Sequence, residues 1–412
     1  MRTNHPCTGY PGDQLTELTY TATLLKITAI KPILADAGYK VLVFVKIETN
    51  QPGLIGWGEA SLEGKPQAVV GCIGDMAPMI LEEDPRQVER CWQILYRSGF
   101  WRQGVIGMSV ISAIDQALWD IKGKELGRPV YELLGGHVRD KVRAYTHFGG
   151  SSPDEIVESA LSKVEEGWSA IKTVAVPPTK TVDSPILAKE AAAIFALVRE
   201  AVGNNVDLLI DCHGRLSPQM AIRYGKEFEP YSPFWMEEPS QAENPAAMAP
   251  VAAALEIPIA TGERLFTRWG FREILEKKAA SVLQPDTCHA GGISEVLRIA
   301  SMAETYYAGL APHNPYGPVS TAACLQVDLA AQNFVIQEVV DPAVAPEMMD
   351  FVKEPLVLND GYFERPTTPG LGVEVDEAAC ARRKPDFSPE SIRRQSINLY
   401  GGVYDDGGVA DV

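Results

Sequence analysis

The sequence predicts an α/β protein, a (β/α)7–8 TIM-like barrel with an N-terminal α+β capping domain that the C-terminal segment completes. Two observations carry the barrel. Short apolar runs each end in a polar residue: LLIDCHG with Asp211 and His213, WMEEP with Glu237 and Glu238, IATGER with Glu263, VLQPD with Asp286, LAPH with His313, and VIQE with Glu338. Successive members stand 23 to 27 residues apart, the length of one strand, one helix and two short loops. A third observation adds the second domain, because 412 residues exceed the roughly 250 that a barrel needs. The runs read as buried parallel strands, and parallel barrel strands aim their carboxyl ends at one mouth. One such residue could equally cap a helix. Six in phase argue for a shared site.

The expected domains are 1–140 for the capping unit, 141–345 for the barrel and 346–412 for the returning segment. The chain begins β-rich from Leu15: residues 19–27 alternate β-formers with polar residues, 41–47 form an apolar strand, and Asn50-Gln51-Pro52-Gly53 turn it back into LIGWGEAS. Helices follow over 66–81 and 87–96. GFWRQGVIG breaks the pattern, and residues 109–127 restore it with helical spacing and a terminal glycine. The first barrel strand is placed at 142–147, a helix at 151–167, and the second strand, with Lys172, at 169–174. PPTKTVDSP forms a long loop over the mouth before a helix that runs through Val202. After Glu338 the period stops. Residues 342–400, with a turn cluster at 366–372, are expected to pack back on the capping unit and leave only DDGGVADV loose.

Composition narrows the function. The net charge of −17 argues against a nucleic-acid partner, and an anionic substrate would need a local cation to approach. No uncharged apolar run reaches the roughly 18 residues that a membrane span requires, and the N-terminus lacks signal-peptide order. A cytoplasmic protein, and a homo-oligomer, is expected. Seven scattered cysteines without a CxxC pair read as reduced thiols rather than disulfides or a zinc site.

Asp211, Glu237 and Glu263 end three consecutive strands. Three carboxylates with room for water and substrate oxygens suit one Mg²⁺ per chain. Without a cation they would raise one another's pKa. A divalent ion can chelate a carboxylate and its neighbouring hydroxyl, and so stabilise the enediolate formed when the adjacent proton is removed.

The chain resembles the enolase superfamily of the mandelate racemase type, and within it the sugar-acid dehydratases that act on galactonate. The resemblance rests on GWGEASLEG, YRSGFWRQG, MSVISAIDQALWDIKGK, LLGGHVRDKVRAY, DCHGRLSP, WMEEP, GERLFTR, LQPDTCHAGGI, APHNPYGP, IQE and PGLGVEVDE, all in family order. It implies metal ligation by Asp211, Glu237 and Glu263, with Glu238 behind them. It makes His313 the base that removes the C2 proton, supported by Asp286, and His213 the acid for the departing 3-hydroxyl. Glu338 would hydrogen-bond the substrate carboxylate, and Lys172 would add positive charge near the metal. The implied function is Mg²⁺-dependent dehydration of an aldonate, D-galactonate first, to the 2-keto-3-deoxy acid. Loops 35–39 and 62–65 are implied to contribute specificity.

The residue chemistry agrees, since a histidine near neutral pKa serves as acid or base and a carboxylate fixes its tautomer. The strand-two run Lys172-Thr173-Val174 departs from the racemase Lys-x-Lys, which disfavours a two-base racemase. An acid-sugar epimerase or cycloisomerase using the same enediolate remains the alternative, and a barrel that only binds remains a further one. Among the other histidines, His289 reads as a helix cap or backbone partner, His137 as a solvated loop, and His147 as a strand-one residue near the mouth. Arg215 reads as a substrate ligand or the partner of a surface acid.

Overall fold

A computed structural model describes residues 24–38, 40–341, 345–393, 402–404 and 408–410. The expected β-rich start from Leu15 to position 23 lies outside these residues. The capping unit opens with an antiparallel sheet, β1 (Ile27–Asp36), β2 (Val41–Thr49) and β3 (Ile55–Glu59), in that spatial order. Helices α1 (Pro66–Met76), α2 (Val88–Arg97) and α3 (Val105–Leu126) cover it, and α4 (Val130–Leu133) leads out. Helix α1 ends earlier than its pattern predicts, because Ala77-Pro78-Met79 tightens into a 3-10 turn. Helix α3 begins four residues before the expected Ser109 and ends on Gly127 at φ 66, the left-handed geometry that favours glycine.

Helix α3 is buried nearly all round because it lies between β3 and the barrel. Two glycines allow that approach. A Cβ on Gly56 would lie 2.1 Å from the Ala117 carbonyl oxygen, and one on Gly58 would lie 1.9 Å from that of Ala113. Buried Asp120 on α3 then accepts from the backbone of Trp57 at 3.0 Å and Leu371 at 2.8 Å, which ties the C-terminal segment to the sheet.

The barrel follows as β4 (Lys141–His147), α5 (Pro153–Glu165), β5 (Ala170–Val174), α6 (Pro185–Val202), β6 (Asp207–Asp211), α7 (Pro218–Phe228), β7 (Trp235–Glu237) and α8 (Pro245–Ala254). It continues with β8 (Ile259–Thr261), α9 (Thr267–Glu276), β9 (Val282–Leu283), α10 (Gly292–Glu304), β10 (Gly309–Leu310), α11 (Pro318–Ala330) and β11 (Gln337–Glu338). Strands β4 to β10 pair in parallel in chain order, β11 pairs with β4, and the Leu310 to Phe334 bridge joins the ends. Among the described residues, eight strands thus close a ring with seven helices outside, and no barrel helix follows β11. Tyr145, Leu209, Trp235, Ala260, Val282, Ala311 and Ile336 fill its centre, as packed side chains rather than a pore.

The returning segment pairs β12 (Leu358–Asn359) with β13 (Tyr362–Glu364), and β13 runs antiparallel to the start of β4. Helix α12 (Glu377–Arg382) packs against β1. The tail DDGGVADV, expected to be loose, is partly ordered. Strands β14 (Gly402–Val403) and β15 (Val409–Ala410) form an antiparallel pair, and the Tyr404 ring sits 5.4 Å from Lys180 Nζ on the loop after β5. Among the described residues no helix is long and apolar enough to cross a membrane.

Candidate active site

Parallel register sets the geometry at the barrel mouth. Val174 pairs with Asp211, Asp211 with Glu237, and His147 with Lys172, so their side chains start from one level. Glu263 lies two residues past β8, after Gly262 at φ 144. A Cβ on Gly262 would meet the Phe271 ring at 2.6 Å and the Gln284 nitrogen at 2.9 Å, so glycine lets the chain turn there and aim Glu263 inward. One oxygen each of Asp211, Glu237 and Glu263 falls within a 4.8 Å set.

The charge balance of this rim is lopsided. Lys172 is buried and reaches Glu237 at 2.9 Å, Glu338 at 2.8 Å and Asp211 at 3.3 Å. Three carboxylates therefore share one ammonium, while Glu263 faces His313 at the edge beside His213. Burial and the nearby Asp211 push Glu237 up to about 8, and burial and Glu238 push Glu263 up to about 7. For Asp211 burial acts upward too, but the charges of His213 and Lys172 outweigh it and hold the carboxyl low. A rim that retains protons at neutral pH for want of positive charge, with oxygen donors on three sides, fits a hard divalent cation.

The two histidines are held differently. His313 lies beyond β10, and its Nδ1 meets Asp286 Oδ2 at 2.7 Å, while Asp286 Oδ1 accepts the Cys288 N–H at 2.6 Å. The Asp286 carboxylate thus fixes the proton on Nδ1. The other nitrogen, Nε2, faces Glu263 at 3.6 Å and Glu338 at 3.8 Å. Burial lowers the pKa of His313, but Glu263, Glu338 and Asp286 together raise it to about 10. His213 adopts φ 50, a strained value outside glycine. Its backbone N–H donates to Asp211 Oδ1 at 2.9 Å, and the ring turns back to Asp211 Oδ2 at 3.2 Å. The Asp211 charge raises its pKa.

A cavity of about 520 Å³ gathers Lys172, Asp211, His213, Glu263, His313 and Glu338 along its wall. Glu237 lies beneath them, with both oxygens bonded to Lys172 and one to the Trp235 indole at 3.1 Å. Asp286 is fully buried behind His313. All eight residues singled out in the sequence therefore converge on one mouth.

The capping unit meets that mouth through Glu63 of the 62–65 loop, which the resemblance implied, and through Ser109, Lys40 and Glu59, which the sequence did not single out. His289 neither caps a helix nor binds backbone through its ring, as its sequence context suggests. Its Nδ1 meets the Ser109 hydroxyl at 2.8 Å and its Nε2 meets the Tyr316 hydroxyl at 2.8 Å. Tyr316 donates to Glu63, which also receives Lys40 Nζ at 2.6 Å. Burial would raise Glu63, but Lys40 and Tyr316 hold it down to about 2. Glu59 on β3 reaches across as well and accepts the N–H groups of Gly317 at 2.8 Å and Ser320 at 2.9 Å at the start of α11, just after His313. Arg215 turns from the cavity to donate to the Val176 carbonyl at 2.7 Å and so braces the loop after β5. The one local signal for Tyr316 was its place three residues after His313.

Comparison with known proteins agrees with this architecture. Residues 20–135 match the mandelate racemase / muconate lactonizing enzyme N-terminal domain, and residues 155–379 match the enolase C-terminal domain-like family. The chain is 42% identical over 353 residues to a D-galactonate dehydratase of Pectobacterium atrosepticum, covering 84% of this chain and 92% of the relative. A crystal structure of an enolase superfamily member from Salmonella Typhimurium matches with TM-score 0.82 at 34% identity, over 88% of this chain and 99% of that one. A mandelate racemase/muconate lactonizing enzyme from a Sulfitobacter species matches with TM-score 0.82 at 36% identity, over 88% and 97%. The chain therefore belongs to the enolase superfamily, within its mandelate racemase and muconate lactonizing enzyme family.

Proposed function

We propose that this protein is a carbon–oxygen lyase that dehydrates an aldonate to the 2-keto-3-deoxy acid, with D-galactonate the first candidate. The observation that carries the proposal is the His313–Asp286 pair at 2.7 Å, whose outer nitrogen faces the carboxylate rim inside one cavity. The relative named D-galactonate dehydratase, 42% identical, supports the substrate class.

Asp211, Glu237 and Glu263 would hold one Mg²⁺, which would supply Lewis-acid polarisation of the substrate's carboxylate and so make the C2 proton more acidic. In its neutral form His313 takes that proton on Nε2, and Asp286 keeps the ring in the tautomer that can accept it. Lys172 adds a fixed positive charge where negative charge grows on the carboxylate oxygens. Glu338 faces the same end of the substrate and orients the donors around it. His213, from the wall of strand three, delivers a proton to the 3-hydroxyl as it leaves. The enol so formed tautomerises to the 2-keto acid. Val174 supplies no second base on strand two, which disfavours a two-base racemase.

Incubation of the protein with Mg²⁺ and a panel of aldonates and acid sugars, assayed for 2-keto acid, tests the reading. Turnover of at least one aldonate with loss of water is expected. Turnover of none would overturn it. A homo-oligomer in the cytoplasm is part of the proposal, supported by Phe100 and Trp101, 90% and 80% exposed, since such apolar surface is commonly buried between subunits. Sedimentation of the purified protein as a monomer would remove that part.

A further inference from the structure

His147 ends strand β4, and the sequence alone gives it no role. Its backbone register places it beside Lys172, and the alternation of the strand turns both Tyr145 and His147 inward, Tyr145 into the packed centre and His147 one layer higher into the cavity. The ring stands edge-on to Tyr145, with centroids 6.4 Å apart. Its Nε2 lies 2.9 Å from Glu338 Oε1. That oxygen also receives Lys172 Nζ at 2.8 Å, and Glu338 Oε2 receives the Asn314 N–H at 2.9 Å. An ammonium and a backbone amide can only donate. Glu338 is thus the acceptor on every side, and His147 meets it with Nε2–H. In the neutral ring the proton is then absent from Nδ1, which carries a lone pair. Among the described residues no group bonds Nδ1, and the side chain is 42% exposed where it lines the cavity.

We propose that His147 is a specificity-determining residue whose Nδ1 accepts a hydrogen bond from a substrate hydroxyl that the reaction leaves in place, at C4 or beyond. The inference rests on the aldonate reading above. A polyol acid offers such hydroxyls in quantity. Strand one lies between strand seven, with His313, and strand three, with His213, so its side chain borders the substrate without competing for the reacting carbons. Glu338 serves His147 as Asp286 serves His313: a buried carboxylate fixes which nitrogen carries the proton, and here the nitrogen left over binds rather than reacts.

The test compares kcat and KM of the wild type, His147→Phe and His147→Gln, in the full-length protein with Mg²⁺, on the best aldonate and on analogues lacking the hydroxyl at C4, C5 or C6. Phenylalanine keeps the ring packed on Tyr145 and removes both nitrogens, whereas glutamine restores an acceptor. On the parent aldonate His147→Phe is expected to raise KM roughly tenfold with kcat little changed. One deoxy analogue should cost the wild type the same factor and cost His147→Phe nothing further, and His147→Gln should recover part of the loss. Equal losses for His147→Phe on every analogue, or no loss on any, would overturn the proposal. If the wild type turns over no aldonate, the functional reading falls and this inference falls with it. Turnover with an indifferent His147 sinks this inference alone.

Discussion

Two buried polar networks meet at the barrel mouth, and they differ in how their charges balance. The rim network sets Asp211, Glu237 and Glu338 around the single ammonium of Lys172, with the Glu263 carboxylate close to Asp211 and Glu237. The network from the capping unit runs Ser109, His289, Tyr316, Glu63 and Lys40, and in it a lysine matches the glutamate. Balanced networks of this kind hold two domains together. A network with surplus negative charge is costly unless something else supplies positive charge, which makes it the place to look for chemistry rather than for stability. Removing a charge should therefore act in opposite directions on the two.

The largest effect should fall on the group that faces the surplus. His313→Asn removes the proton acceptor while keeping a side chain that can still bond Asp286, so C2 exchange of a turned-over aldonate in D₂O should fall by about 10²- to 10⁴-fold. NMR of the C2 proton reads this directly. Exchange at the wild-type rate would assign the base elsewhere, and deuterium gained at C2 without a keto group would point to an isomerase.

Next comes the cation. Mg²⁺ at about a hundred times its dissociation constant should stabilise the wild type by about 2.7 kcal/mol, as a rise in the thermal unfolding midpoint that a chelator reverses. Glu237→Gln should abolish most of that rise and yet leave the metal-free protein about as stable as the wild type, because Glu237, pushed up to about 8, already holds a proton at neutral pH and glutamine keeps that neutral form. A metal-free Glu237→Gln that unfolds far below the wild type would show that Glu237 stabilises the fold, against the contrast drawn here.

Glu63→Gln should do the reverse. The substitution weakens a paired carboxylate in the balanced network, and a loss of about 1–3 kcal/mol is expected in denaturant unfolding, with no change in the response to Mg²⁺. The pH dependence sharpens this. Glu63 is held down to about 2 in the folded protein, against roughly 4.3 when unfolded. Its contribution is therefore complete above about pH 4.3 and lost as the pH falls toward 2, because the unfolded chain takes up the proton first. Glu63→Gln should flatten the stability curve in that window alone. An unchanged slope there would mean that Lys40 and Tyr316 do not hold Glu63 ionised.

The smallest effect belongs to the tail. Tyr404→Ala removes a ring that rests on Lys180 and whose hydroxyl lies 3.5 Å from the Thr179 carbonyl oxygen. A loss of no more than about 1 kcal/mol is expected, the usual worth of an exposed cation–π contact. A larger change in kcat than in stability would show instead that the tail governs the loop after β5.

Much of the rim was legible because a parallel barrel turns sequence spacing into spatial coincidence. Residues at the ends of successive strands must meet, so Asp211, Glu237 and Glu263 could be grouped without coordinates. The partners that cross between domains could not. Ser109 reaches His289 across 180 positions and Tyr316 reaches Glu63 across 253, with no period linking them. The context of His289 therefore suggested a helix cap. The β14–β15 pairing was missed for a similar reason, since a glycine-rich tail shows no alternation and owes its order to what it touches. Lys172 was placed near the metal, but its contact with three carboxylates at once depends on burial depth, which spacing does not encode.

The ring closure carries a consequence for how the protein matures. The three metal-ligand candidates sit at the ends of neighbouring strands, within 52 positions of one another, whereas His147 and Glu338 touch only once the last strand has docked beside the first. During synthesis the cation-binding half can therefore be assembled before the half that faces the substrate exists. A circular permutant with new termini in the turn between α11 and β11 would reverse that order, and comparing when each gains Mg²⁺ affinity and when each gains activity during refolding would show whether the two halves mature separately.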